Sequence, residues 1–198
     1  MILLTLAAGS VEETIFHGLA MGADSAHVVT IPENAPLDPH ATASLLVDAL
    51  RTLNPDVICC GERAVDGEAA QVPSAIGEMM GCAVATGVEH MKFEQECKAL
   101  AVRCRADSAV ELRVLSLPCV CSFIRGDHVP RYPSLDAIFD AGAKRVVEVA
   151  AKSATPEVLM RRIALTADED ERAAEKICGL VSDAVKVLLA RIAEKTDV

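Results

Sequence analysis

The sequence predicts an α/β fold: a mostly parallel sheet flanked by helices, with an antiparallel hairpin attached. Three observations predict it. Short apolar runs alternate with segments of helical period over roughly the first eighty residues, which is the pattern of a parallel sheet with right-handed crossovers. After Gly81 the runs follow one another without helices between them, as antiparallel strands do. The chain has 198 residues, 52% of them apolar, enough for one substantial core and a single domain.

Met1 to Leu6 reads as the first strand, and Ser10-Val11-Glu12-Glu13 as a capping box, the serine taking an orphan helix amide and the glutamate reaching back. Val11, Ile15, Leu19 and Gly22 mark the helix that follows and its stop. Ala26 to Ile31 is a second strand. Asp38-Pro39 opens a helix with an N-cap acid and a proline in its first turn, and Ala41, Leu45, Ala49 and Leu53 line its buried face. Val57 to Cys60 is a third strand, followed by a loop and a helix from about Gln71 to Gly81. Ala83 to Phe93, Cys97 to Cys104, Val110 to Leu115 and Pro118 to Ile124 then read as consecutive strands, with a tight link at 106–108. Prolines at 130 and 133 forbid ladder pairing and favour an extended segment. A short helix and a strand at Val146 to Val149 follow. Residues 1–150 thus form the α/β domain, and 151–198 a helical arm of the same domain. The arm runs from about Thr166, with Asp168 to Glu171 near its N-terminal end and an apolar stripe at Ile177, Val181, Ala184, Leu188 and Ile192 that is expected to pack on the sheet.

A formal charge of −10 without a basic stripe argues against a nucleic-acid partner, because such binding rests on clustered Lys and Arg. The apolar stretches fall short of the roughly 20 residues of a membrane helix, and Met1-Ile2-Leu3-Leu4 lacks the features of a secretion signal. A soluble, cytoplasmic protein is expected. The eight cysteines show no Cys-x-x-Cys spacing, so no metal site is expected, and most sit in apolar runs where a free thiol acts as a small hydrophobe. Cys59-Cys60 and Cys119-x-Cys121 are retained as redox candidates. The five histidines are scattered, and His128 beside Asp127 is the one suggestive placement.

The loop after the third strand holds the main candidate site. An open parallel sheet binds ligands at the carboxyl ends of its strands, and Gly61 lies at such an end. The loop offers backbone amides without bulky side chains at Gly67, Ala69 and Ala70, and the helix beyond points its positive end back toward it. Asp66 suits a ribose hydroxyl or a loop cap, and Gln71 a phosphate oxygen. With neither GxGxxG nor Gly-Lys-Ser present, the residues alone leave a nucleotide cradle and a plain connection both open.

The stretch from Asp56 to Pro73, with Gly61, Asp66, Gly67, Gln71 and Val72 at its core, resembles the beta subunit of electron transfer flavoprotein, whose corresponding segment reads roughly Gly-Lys-Gln-Ala-Ile-Asp-Gly-Asp-Thr-Gly-Gln-Val. Leu19-Ala20-Met21-Gly22-Ala23-Asp24 and Pro130-Arg131-Tyr132-Pro133-Ser134-Leu135 are similar to two further motifs of that family, in the same order. The last fifty residues match poorly. The resemblance implies a fold of the adenine-nucleotide-binding type and an electron carrier rather than a catalyst with its own substrate. It implies AMP or FAD in the beta site and a redox FAD on a partner alpha subunit, the two subunits forming a heterodimer. The nucleotide would be held by Leu6, Gly61, Glu62, Arg63, Ala64, Val65, Asp66, Gly67, Glu68, Ala69, Ala70, Gln71 and Val72. Arg131, Tyr132 and Leu135 would dock a flavin dehydrogenase, the electron donor. No residue is implied as acid, base, nucleophile or metal ligand. Ala69-Ala70-Gln71 leans toward the bifurcating branch, in which this position tends to read Thr-Ala-Gln.

Departures from the family pattern are equally specific. Its first strand, Lys-rich turn and Asn-Pro-x-x-Glu helix have no counterpart before Met1, a difference of about fifty to sixty residues. The lysine cluster beyond the recognition leucine is reduced to Lys144-Arg145, which weakens electrostatic steering. Two other readings follow: an adenine-nucleotide-binding regulatory or structural module without redox activity, and a truncated fragment of the beta subunit. A homo-oligomer of the isolated chain is also expected, since bare apolar surface commonly marks an interface.

Overall fold

The computed structural model describes residues 1–33, 35, 37–65, 67–95, 98–106, 109–126, 128–151 and 181–196. It is an α/β fold in which the expected strand–helix alternation holds through the first half. Strand β1 (Ile2–Ala7) leads to α1 (Glu12–Ala20), β2 (Ser25–Thr30), α2 (Pro39–Leu53), β3 (Val57–Gly61) and α3 (Val72–Met80). Strands β4 (Ala83–Glu94), β5 (Ala99–Ala106), β6 (Ala109–Ser116) and β7 (Cys119–Phe123) then follow without an intervening helix, before α4 (Leu135–Ala141) and β8 (Arg145–Ala150).

The helix termini show which local signals acted. Asp38 caps α2, its Oδ1 accepting from the Ala41 amide at 2.6 Å, and Pro39 sits where no amide is needed. Asn54, left-handed at φ 46°, closes the helix. Gly81 closes α3 in the same way at φ 65°. The capping box expected at Ser10 to Glu13 does not form. Helix α1 begins one residue later, with Val11 as its N-cap and no side-chain cap bond, so Ser10 lies outside the position from which a hydroxyl reaches the free amides. Glu12 and Glu13 in the first turn supply a favourable charge there instead.

The strands form two sheets. The three-stranded sheet has the order β1-β2-β8 and is wholly parallel; the five-stranded sheet has the order β3-β7-β4-β5-β6. In the second sheet β3, β7 and β4 are parallel, whereas β4-β5 and β5-β6 are antiparallel, which is the attached hairpin. Both β1 and β3 are therefore edge strands. One helix, α2, packs toward both: Leu4 of β1 lies against the cluster of Ala43, Val47 and Leu50 from α2, Ile58 from β3, Ile76 from α3 and Val120 from β7. A second cluster joins α1 and α4 to β1 and β2 through Ile15, Leu19, Val28 and Ala141, and a third lies within β4 to β7.

Strand β4 bends at two register shifts. Gly87 (φ 67°) sits within the first of them, where an added Cβ would come within 2.5 Å of the Arg105 carbonyl oxygen, so the bulge requires glycine. Beside it Glu89 is buried. Arg105 Nε donates to its Oε1 at 2.6 Å and Arg103 Nε lies 3.5 Å from Oε2, which compensates the buried carboxylate.

The described residues up to 151 belong to one compact unit and helix α5 (Val181–Thr196) to another. Ile177 and the expected helix start near Thr166 lie outside the described residues. Of the expected α5 stripe, Val181 and Leu188 are exposed and Ala184 is half-buried within this second unit. Among the described residues, no helix is long and apolar enough to cross a membrane.

Candidate functional site

Strand β3 runs parallel to β7, and its end at Gly61 pairs with Phe123. The Glu62 amide donates to the Phe123 carbonyl at 3.1 Å, so the loop springs from the carboxyl ends of two adjacent parallel strands. The Glu68 amide donates to the Ala64 carbonyl at 3.0 Å and folds Ala64 to Glu68 into one turn, at whose apex Val65 is fully exposed. Asp66 lies outside the described residues.

The return to α3 is strained. Glu68 and Ala70 have φ values of 47° and 53°, a region that costs a residue bearing a Cβ about 1–2 kcal/mol. Gln71 follows with right-handed angles of φ −98° and ψ −27°. Successive residues of opposite hand turn consecutive amides to one side, forming the concavity that holds anions. Here those amides belong to Ala70, Gln71 and Val72. Gln71 is also the N-cap of α3, and its side chain makes no cap bond. The Ala75 amide donates to the Gln71 carbonyl at 3.0 Å and Pro73 has no amide, so Val72 and Ser74 carry the first-turn donors of this helix end.

The two loop glycines have no internal explanation. Neither Gly61 nor Gly67 has a positive φ, and a Cβ added to either would meet nothing within 4 Å. Neither the backbone nor the packing of this chain demands glycine there, whereas close approach of a ligand would. Charge around the loop is mixed: Arg63 and Glu62 form an exposed ion pair at 3.4 Å. Leu6 is half-buried near the end of β1, in the other sheet, and so is not part of this hydrogen-bonded loop.

The candidate docking residues occupy a separate surface. Arg131 is exposed, Tyr132 is 95% exposed, and Leu135 opens α4 beyond the Ser134 N-cap, whose hydroxyl accepts from the Ala137 amide at 3.2 Å. The opposite side of α4 is anchored by Ile138 and Ala141 against α1. Phe139, one turn after Leu135 and also exposed, extends the surface; the i, i+4 spacing in the sequence was the signal for it. Lys144 does not join it. Its Nζ donates to the carbonyls of Leu19 and Ala23, both at 2.8 Å, and ties α4 to the end of α1. His128 stacks on His90 with ring centroids 5.1 Å apart, a contact that sequence spacing could not show.

The six described cysteines are free thiols. Cys104, Cys119 and Cys121 are buried, and burial pushes the Cys121 thiol up to about 12 and Cys60 to about 11, so both stay protonated near neutrality. Among the described residues, no group of three or more His, Cys, Asp or Glu is arranged to hold a metal. Other hollows lie on the three-stranded sheet, between α2 and β2/β8 and between α1, α4 and β2/β8; neither contains the 61–72 loop.

Residues 2–155 match the family model described as the electron transfer flavoprotein domain. The chain belongs to the electron transfer flavoprotein family. It is 31% identical over 194 residues to the electron transfer flavoprotein subunit beta of Thermoanaerobacterium thermosaccharolyticum, covering 91% of this chain and 72% of that protein. It is 31% identical over 199 residues to the subunit of the same name from Syntrophomonas wolfei, covering 93% and 76%. A caffeyl-CoA reductase-Etf complex subunit CarD of Acetobacterium woodii is 31% identical over 141 residues, or 71% of this chain and 53% of that one. The resemblance seen in the loop and in the Pro-Arg-Tyr segment therefore extends over most of this chain. Although the family model ends at 155, the first two alignments cover too much of the chain to stop there, and so reach into the last fifty residues.

Proposed function

We propose that this beta-type electron transfer flavoprotein chain holds AMP or FAD on the 61–72 loop and joins an alpha subunit bearing the redox FAD, the pair acting as an electron carrier. The observation that carries the reading is the loop itself. Two glycines that the fold does not require stand beside a strained Ala70-Gln71 step whose amides face one way at the start of α3. The flavin, when bound, supplies the electron acceptance and release. The chain's residues bind and orient: the Ala70, Gln71 and Val72 amides and the α3 dipole favour a phosphate, and the Gln71 amide group donates to it. Gly61 and Gly67 let the backbone approach the adenosine, and Asp66 and Leu6 take the roles the family resemblance implies. Arg131, Tyr132 and Leu135, with Phe139 beside them, face a flavin dehydrogenase as electron donor. Residues 151–198 complete the domain as a C-terminal arm, and the assembly works in the cytoplasm.

Co-expression with an alpha subunit encoded beside it tests the proposal. A yellow complex that co-migrates on gel filtration and releases AMP or FAD on denaturation is the expected result, and the released nucleotide identifies the beta-site occupant. A colourless pair that elutes separately would overturn the electron-transfer role. The division of the sheet at β1 and β3 favours a second reading, a nucleotide-binding module without a redox partner. In that case nucleotide would still bind the chain, and no flavin complex would form.

A further inference from the structure

We propose that the outer edge of β6 pairs, antiparallel and about a two-fold axis at Leu112, with the β6 edge of a second copy of this chain. This surface lies at the hairpin end of the five-stranded sheet and is independent of the nucleotide reading. Among the described residues strand β6 is the terminal strand of its sheet, and it pairs with β5 from Ala109 to Ser116 without a register shift, so its outer edge is regular along eight residues. Sheet edges are ordinarily blunted by proline, lysine, bulges or short length. Strand β6 has no proline, lysine or bulge over its eight residues, and its two charges, Glu111 and Arg113, are opposite in sign. One face of it instead presents Val110, Leu112 and Val114, which are 57%, 83% and 69% exposed.

The sequence of the edge is self-complementary in one register. With Leu112 opposite Leu112 of the second copy, Val110 faces Val114 and Glu111 faces Arg113, each twice by symmetry. The apolar residues of the two strands then form one continuous stripe on one face, and opposite charges meet directly on the other. Glu111 and Arg113 are half-exposed, and Arg113 Nε donates to Glu111 Oε2 at 2.8 Å along the strand, an exposed contact that both can exchange for the cross-strand one. A strand of another protein would need the matching charge order; a second copy has it by construction. Pairing would bury the backbone donors and acceptors of the edge together with three exposed aliphatic side chains on each copy.

Charge exchange between copies gives the test. Sedimentation velocity from about 1 to about 300 µM is expected to show a concentration-dependent dimer. Glu111→Arg and Arg113→Glu each place like charges opposite one another, and each variant alone is expected to dissociate at least about tenfold more readily. An equimolar mixture of the two restores both opposite-charge pairs and is expected to recover dimerisation. In a Cys59→Ser background, Leu112→Cys is expected to form an intermolecular disulfide on mild oxidation, whereas Val110→Cys is not, because symmetry-related residues 110 would stand about 13 Å apart along the strands. Circular dichroism melts matching the parent confirm that the surface variants fold. A chain that stays monomeric throughout, a mixture no tighter than its components, or a disulfide from Val110→Cys in preference to Leu112→Cys overturns the proposal. The first of these outcomes includes the case in which the edge is reserved for a different protein.

Discussion

Gly61 and Gly67 separate the two explanations of their loop. An alanine methyl at either position would project into open space, so Gly61→Ala and Gly67→Ala should each change folding stability by less than about 0.5 kcal/mol. If a nucleotide lies against the loop, the same methyl intrudes on it, and affinity should fall by roughly tenfold or more, the scale of overpacking a fitted contact. Denaturant midpoints and adenine-nucleotide titrations on the same samples check both halves; unchanged nucleotide affinity in both variants would make the loop a plain connection. Cys121 carries a pH signature of a different kind. Its folded value near 12 lies above the ordinary 9.0, so the folded state keeps a proton that the unfolded chain releases. The resulting stabilisation is complete below about pH 9 and is lost as pH rises from about 9 toward about 12. Urea midpoints measured from neutral to alkaline pH should therefore fall more steeply in the parent than in Cys121→Ala, and equal slopes would show that burial of this thiol has no alkaline cost.

Helix α2 gives the clearest element-scale expectation, because it bridges the packing of both sheets. Its residues Ala43, Val47 and Leu50 pack toward Ile58 and Leu4, and its start is fixed by the Asp38 carboxylate at 2.6 Å from the Ala41 amide. Asp38→Ala should cost about 1 kcal/mol, typical of losing a helix N-cap. Since the helix contacts both β1 and the β3–β7 pair, the loss should appear as one cooperative shift in a thermal melt seen by far-ultraviolet circular dichroism, with no separate early transition. Cap signals proved unequal as guides. Asp38-Pro39 acted as written, because proline fixes the backbone where the acid can reach the free amides. Ser10-Val11-Glu12-Glu13 did not, since a capping box depends on which residue the preceding strand and turn leave at the helix boundary, and that residue is Val11. At the other end of the chain, an apolar period was readable in α5, but period alone does not say what, if anything, covers the stripe.

On the scale of the molecule, the division into a three-stranded and a five-stranded sheet is the chief result that local patterns did not contain. Each strand was readable from its apolar run and flanking turns. Which strands pair is set by contacts remote in sequence, as when β8 closes on β2 and β7 enters between β3 and β4. The same long-range placement turns Lys144 inward onto the Leu19 and Ala23 carbonyls, removing it from the charges available for docking, and brings His128 over His90. Among the described residues it also leaves β1, β8, β3 and β6 as the edge strands of the two sheets.

By itself, the sequence determined the α/β class, the order of the strands and helices, the family to which the chain belongs and the loop at Gly61 to Val72 as its candidate nucleotide site. These depend on short-range periodicity, turn chemistry and motif spacing, all of which are carried by neighbouring residues. Only the tertiary structure decided that the strands divide into two sheets, that Glu89 is buried between two arginines, that Ala70 takes a positive φ just before the right-handed Gln71, and that β6 presents exposed apolar residues at the edge of its sheet. Those features depend on which surfaces the chain brings together across a hundred residues. Exposure is a property of the packed whole: Val110, Leu112 and Val114 read as strand residues in any context, and become an interface candidate because β6 ends its sheet among the described residues and leaves them exposed.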